Sequence, residues 1–229
     1  MRIHMTLEYI RQSFFFFRQN IKLLATINIP FLIIFNILFS QINIASTTAD
    51  PNAVTQSLLM ASTLNLLFMP IYWGATIFFM HSTLNLPSFT AGQAIAASMK
   101  TWSKLFLVFF LTSVCVLFGF MAFIIPGIYV AIRLSISHYI CIAESKGTID
   151  SLKQSWIRTN DYIWLILKGT ATIMITIFIL RMAAIAIANS IFNSAFINIV
   201  VNIAFDFCNI MVMIFGFRVY CLINDEQKT

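Results

Sequence analysis

Charge is the scarcest thing in this sequence. Only 10% of the 229 residues are Asp, Glu, Lys or Arg, against roughly a quarter in an ordinary soluble domain. Sixty per cent are hydrophobic, more than a soluble globule of this size could hide, because much of a small protein's exterior must meet water. A watery surround is therefore excluded. Cysteine is present four times, but Cys115, Cys141, Cys208 and Cys221 lie in apolar runs or beside them, with no Cys-x-x-Cys spacing. That excludes a zinc knuckle and a disulfide framework, and the four are expected to pack as small apolar residues. The few acids are scattered, so no carboxylate pair forms. A Ser-His-Asp order, a metal cluster and a Gly-rich phosphate loop are also absent from the pattern. No catalytic, cofactor or metal residue is expected, and no enzymatic activity. The net charge of +6 does not gather into a basic stripe, which argues against nucleic acid as a partner.

Long apolar runs are what the chain does have. A hydrocarbon core of ~30 Å needs about 20 apolar residues per helical span. Six runs meet that need, at about 23–42, 58–80, 105–125, 128–143, 162–180 and 196–217, within one membrane domain covering 1–229. The first is read as a retained span rather than a signal peptide, whose apolar core is 7–15 residues. Pro30 and Pro70 sit inside spans one and two, where neighbouring helices can satisfy the freed carbonyls. Residues 105–143 would make a helix of ~58 Å at 1.5 Å per residue. That is too long for one crossing, so a tight inter-span turn is expected at Pro126-Gly127. The short fourth span implies a thinned bilayer or a continuation beyond it. Lys and Arg gather between alternate spans, whereas the segments on the other side carry only Arg181. The positive-inside bias then puts both termini in the cytoplasm, which requires an even number of spans.

Three short segments on the basic side read as amphipathic interfacial helices. Each leads into an outward-going span: FFFRQNIKLL, ASMKTWSKLF and SWIRTNDYIW. Aligned, they superpose Arg18, Lys100 and Arg158. A threefold repeat of interfacial helix, span, span is one explanation. The other is that any helix entering a bilayer from the cytoplasm carries a basic, aromatic threshold.

Two charges stand inside predicted spans: Arg133 in the fourth and Asp206 in the sixth. Such groups are expensive in lipid and usually pair or face water. Counted by helical rise they lie ~7.5 and ~15 Å from the outer ends of their spans. The long Arg side chain can bridge most of that difference, so an Arg133–Asp206 ion pair is expected, as a fold-specifying contact or as part of a transport path. Separate water-facing positions are the alternative. Lys168 is expected to snorkel inward and Arg181 outward. His138 reads as a hydrogen-bonded histidine near the inner interface, and Asn65, Asn189, Asn202 and Asn209 as inter-helix packing residues.

The stretch IIPGIYVAIRLSISHYICIAESKGTIDSLKQSWIRTNDYIWLI resembles the YciC-type family of bacterial inner-membrane proteins. Its marks are Pro126-Gly127, the short span after it, a helix led by Gly147, and Ser155 with Arg158. The polar stretch before Ser57-Leu58-Leu59 and the closing Phe217-Arg218-Val219-Tyr220 extend the likeness over nearly the whole chain. Arg133 and Asp206 depart from the pattern, where uncharged residues are expected. The resemblance implies a six-span inner-membrane protein and offers no catalytic motif to carry over. The expected function is an accessory or structural role in the envelope, through membrane lipids or other envelope proteins. A transporter or lipid-handling protein is the alternative.

Overall fold

The computed structural model describes residues 2–45, 51–84, 89–191 and 194–227. Those residues are almost entirely helical, with no strand among them, and six helical segments are long and apolar enough to cross a membrane. Among the described residues eleven α-helices run in order: α1 (Arg2–Gln19), α2 (Ile21–Ala45), α3 (Pro51–Ser82), α4 (Ala91–Lys100), α5 (Trp102–Ala122), α6 (Ile124–Arg133), α7 (Ser137–Ala143), α8 (Thr148–Arg158), α9 (Ile163–Ile191), α10 (Ala195–Cys208) and α11 (Ile210–Glu226). The all-α, six-span, polytopic bundle expected from hydropathy is therefore present. Part of the polar stretch before Ser57-Leu58-Leu59, residues 46–50, lies outside the described residues, and α3 begins at Pro51.

Three outbound spans, α2, α5 and α9, are each preceded by a short helix: α1, α4 and α8. Each short helix ends at or one residue after an aligned basic side chain, Arg18, Lys100 or Arg158. A cation there faces the negative end of its helix dipole. The chain then returns through α3, through α6 and α7, or through α10 and α11. All three short helices thus lie at the same end, the basic end of the bundle.

Packing repeats with this same period. Each short helix packs on the return span of the preceding unit: α4 on α3, α8 on α7, and α1 on α11. Each also touches the preceding outbound span: α4 on α2, α8 on α5, and α1 on α9. The spans close a ring, α2 to α3 to α5 to α6 to α9 to α10 and back to α2. Inside it the basic-end parts of the returns, α3, α7 and α11, all touch one another. A doorstep requirement at the membrane surface does not dictate which helix packs on which, whereas three copies of one unit do. The weak repeat in the sequence is a pseudo-threefold arrangement in the fold.

Every return span is interrupted. Pro70 lies inside α3 and removes one helical hydrogen-bond donor. Residues 134–136 separate α6 from α7, and Asn209 separates α10 from α11. Hydroxyls from the short helices bond backbone carbonyls at two of these places. Ser98 donates to the Pro70 carbonyl at 2.9 Å, and Ser155 and Thr159 donate to the Arg133 carbonyl at 2.8 and 3.1 Å. Trp102 Nε1 donates to the Leu67 carbonyl at 2.9 Å, in the turn before Pro70.

The turn between spans three and four is not at Pro126-Gly127. A single extended residue, Phe123, reverses the chain, and Pro126 occupies the first turn of α6. A proline is tolerated there because the first helical N–H groups have no partner within the helix. Gly127 is needed for proximity: a Cβ on the facing Gly119 would lie 2.9 Å from the Gly127 Cα. The small pair lets α5 and α6 cross closely.

Candidate functional site

Two polar centres sit within the apolar bundle. The first is built on α2, α9 and α10. Arg181 Nη1 lies 3.2 Å from Asp206 Oδ1, and its Nη2 donates to Asn202 Oδ1 at 2.8 Å. Asn36 Nδ2 donates to the other Asp206 oxygen at 2.9 Å. Counted along their helices, Asn36, Arg181 and Asp206 lie about 14, 15 and 17 Å from the ends opposite the basic end, using 1.5 Å per residue. All three are thus close to mid-bilayer. The side chains of Arg181 and Asp206 are still 32% and 29% exposed.

This arrangement overturns the expected Arg133–Asp206 pair. Helix α9 packs against both α6 and α10 and so stands between the two residues. It brings its own cation, Arg181, to the carboxylate, instead of sending it outward. Arg133 is buried at 6% exposure in a different setting. Its Nη1 donates to Asn160 Oδ1 at 2.6 Å, and its guanidinium lies 4.8 Å from the Trp156 ring centre and 5.5 Å from that of Tyr129. The ring faces supply the negative potential that a carboxylate would otherwise give.

The second centre lies at the basic end, just beyond α7. Glu144 caps that helix and accepts from both arms of Arg158, at 2.5 and 3.1 Å. Lys146 Nζ approaches it at 2.6 Å, and the Tyr220 hydroxyl donates to it at 3.2 Å. Gln154 Oε1 accepts from both Lys146 and Arg158 at 2.5 Å. Burial pushes the Glu144 carboxyl up, but the hydrogen bonds and charges of Arg158 and Lys146 outweigh it. The group lies below its ordinary value of 4.5. Of the three aligned cations, Arg158 is half-buried and paired, whereas Arg18 and Lys100 are exposed.

Glu144 occupies one of three equivalent junctions, each formed where the end of a short helix meets two return spans. In the third unit these are α8, α7 and α11, with Glu144 between them. In the second they are the α4–α5 break, α3 and α7, enclosing a cavity of about 120 Å³ beside Lys104. In the first they are α1, α11 and α3, enclosing about 410 Å³ beside Arg218. A separate cavity of about 610 Å³ between α1, α9 and α11 is lined by Thr6, Asp161, Trp164, Lys168 and Glu226. Among the described residues no group of three or more His, Cys, Asp or Glu is placed to hold a metal ion.

A family model described as Uncharacterised protein family (UPF0259) matches residues 9–222. The chain belongs to this family. UPF0259 membrane proteins from three bacteria are similar to it. That of Photorhabdus laumondii is 28% identical over 141 residues, covering 59% of this chain and 52% of that protein. That of Buchnera aphidicola (strain APS) is 31% identical over 134 residues, covering 57% and 53%. That of Sodalis glossinidius is 25% identical over 141 residues, covering 58% and 52%. The chain spans about half the length of the curated relatives it matches. No solved structure matches it. Membership in UPF0259 agrees with the YciC-type resemblance read from the Pro-Gly and Ser-x-x-Arg features.

Several residues of these UPF0259 centres escaped the sequence reading. Asn36 carries no charge and gave no signal in an apolar span. Glu144 looked like one more loop acid, although its distance of 14 residues from Arg158 hints at a helix-to-helix contact. His138 is held by rings, with Tyr139, Phe109 and Trp73 centres at 4.3, 5.3 and 6.4 Å. Of the asparagines, Asn202 bonds Arg181 and Asn189 accepts from Asn198 at 2.9 Å, both between α9 and α10. Asn209 instead marks a helix break.

Proposed function

We propose that this UPF0259 chain is a bacterial inner-membrane protein with both termini in the cytoplasm and no enzymatic activity of its own. It acts as an accessory or structural component of the envelope, through contacts with lipids or with other envelope proteins. The observation that supports this reading is the closed core at the basic end. There α3, α7 and α11 bring together Phe79, Met80, Ile140, Ile214 and Phe215, each at most 2% exposed. Such a plug is suited to holding helices in place rather than to passing a solute. The cytoplasmic assignment rests on the collection of Lys and Arg at that end.

The test uses photo-crosslinkable residues at exposed apolar positions such as Phe118 and Phe123, followed by crosslinking in native membranes. One recurrent adduct at a given face is the expected result. Adducts spread evenly over all faces, with solute flux through the purified protein in liposomes, would overturn it. Orientation is checked by labelling Lys153→Cys, in a background lacking the native cysteines, with an impermeant thiol reagent. Labelling should require opening of the membrane.

A transporter or lipid-handling role is the second reading. The partly exposed Arg181–Asp206 pair near mid-bilayer favours it, since such charges usually face the bundle interior or a water-filled cavity. Ready reaction of Asn202→Cys with an impermeant reagent from outside, together with solute-dependent protection, would move the conclusion to this reading.

A further inference from the structure

The three junctions are built alike but differ in how their charges are balanced. In the third unit the junction supplies its own anion, Glu144, which pairs with both Arg158 and Lys146. In the first unit the guanidinium of Arg218 lies 5.6 Å from the Phe16 ring centre. Among the described residues no carboxylate oxygen comes within 4.0 Å of it. It lines the 410 Å³ cavity together with Phe16, Gln19, Asn20, Met80 and Thr83. That volume falls in the range of about 300–1,000 Å³ typical of ligand pockets, whereas the 120 Å³ cavity of the second unit falls below it. The cavity stands at the basic end, where α1 meets the membrane surface. Phe14 and Phe15, on the outer face of α1, are 52% and 67% exposed.

We propose that the first junction binds the phosphodiester of an anionic glycerophospholipid. The lipid phosphate takes the place that the Glu144 carboxylate holds in the third junction. Arg218 donates to two of its oxygens, as a planar guanidinium does to carboxylates and phosphates alike. Gln19 and Asn20 flank the headgroup, and the acyl chains descend along the exposed phenylalanines of α1. This deepens the lipid-contact part of the proposed function and rests on the basic end facing an anionic leaflet. The third junction takes no such lipid, because its anion is already in place.

The experiment measures thermal stability of the purified full chain in dodecyl maltoside. Dioleoyl phosphatidylglycerol, dioleoyl phosphatidylcholine or inorganic phosphate is added, and retained lipid is counted by native mass spectrometry. A ligand that binds only the folded state raises its stability. Phosphatidylglycerol should raise the midpoint by several degrees and remain bound one per chain. Phosphatidylcholine and inorganic phosphate should do neither. Arg218→Gln should weaken phosphatidylglycerol binding at least tenfold, whereas Lys153→Ala, on an exposed face of α8, should leave it unchanged. Thr83→Glu places a carboxylate in the first junction. It should raise the lipid-free midpoint and abolish the response, which keeps the test decisive if Arg218→Gln does not fold. An equal response in wild type and Arg218→Gln, an unchanged response in Thr83→Glu, or a match by inorganic phosphate would each overturn the lipid site. Those outcomes leave a protein-mediated accessory role standing. Solute flux in liposomes would remove that role without touching the lipid site.

Discussion

The two halves of the bundle bury their residues unequally. At the basic end α7 and α11 are buried along much of their length, and two of the three interruptions of the return spans are bridged by hydroxyl or indole donors. In the opposite half α9 is exposed almost all round between Met174 and Ala184, and α6 begins with Ile124 and Ile125 at 71% and 80% exposure. The apolar solvent itself covers that surface, because lipid tails are as apolar as leucine and provide no hydrophobic force between helices. Association in the far half then relies on few polar contacts, above all the Arg181–Asp206 group. The basic end relies on close packing. A transmembrane bundle can thus be tight at one end and loosely tethered at the other, with nothing in local hydropathy to mark the boundary.

The sharpest way to break this contrast is to cut the packed end. Phe79→Ala removes a fully buried ring and should cost about 3–5 kcal/mol. Phe118→Ala, in the far half and 65% exposed, should stay within ~0.5 kcal/mol. Reversible unfolding in mixed micelles reads both, and equal losses would erase the distinction between the halves. Next comes the tether. A double-mutant cycle with Arg181→Gln and Asp206→Asn should return a coupling of roughly 1–2 kcal/mol. The same cycle with Arg133→Gln and Asp206→Asn should return coupling within ~0.5 kcal/mol of zero, since the residues share no partner.

A smaller effect is expected at Glu144. Its carboxyl is depressed in the folded protein, so its stabilisation is fully present above pH 4.5 and is lost as pH falls through the folded value. Wild type should therefore lose stability on acidification relative to Glu144→Gln, and a constant difference from pH 7 to pH 3 would show that the cluster is not coupled to folding. The smallest effect belongs to the turn after α7, where Ser145 has a φ of 51°. Ser145→Gly relieves that conformation and should stabilise by under ~1 kcal/mol, seen as a small rise in melting midpoint.

Much of the fold was legible because the bilayer makes length and apolarity decisive. The six spans, the three short basic-end helices and even the repeat can be read from runs of Ile and Phe and from the positions of Arg18, Lys100 and Arg158. Pairing was not legible. Hydropathy places Asp206 and Arg133 at similar depths but says nothing about azimuth around the ring, and α9 comes between them. The turn was misplaced for a related reason. Pro-Gly punctuates many turns, but Pro126 also suits the first turn of a helix, and only the crossing at Gly119 shows which use applies. Glu144 and Arg218 were hidden because a junction is assembled from three helices distant in sequence.

The closed ring also has a consequence for biogenesis. Helix α1 leaves the ribosome well before α9 and α11, yet those two helices supply most of its packing partners. Until those helices are made, α1 has little but α2 and the lipid surface to rest on, and the seam between α2 and α10 cannot seal until the third hairpin has been inserted. Closure of the ring therefore waits for contacts between helices far apart in the order of synthesis.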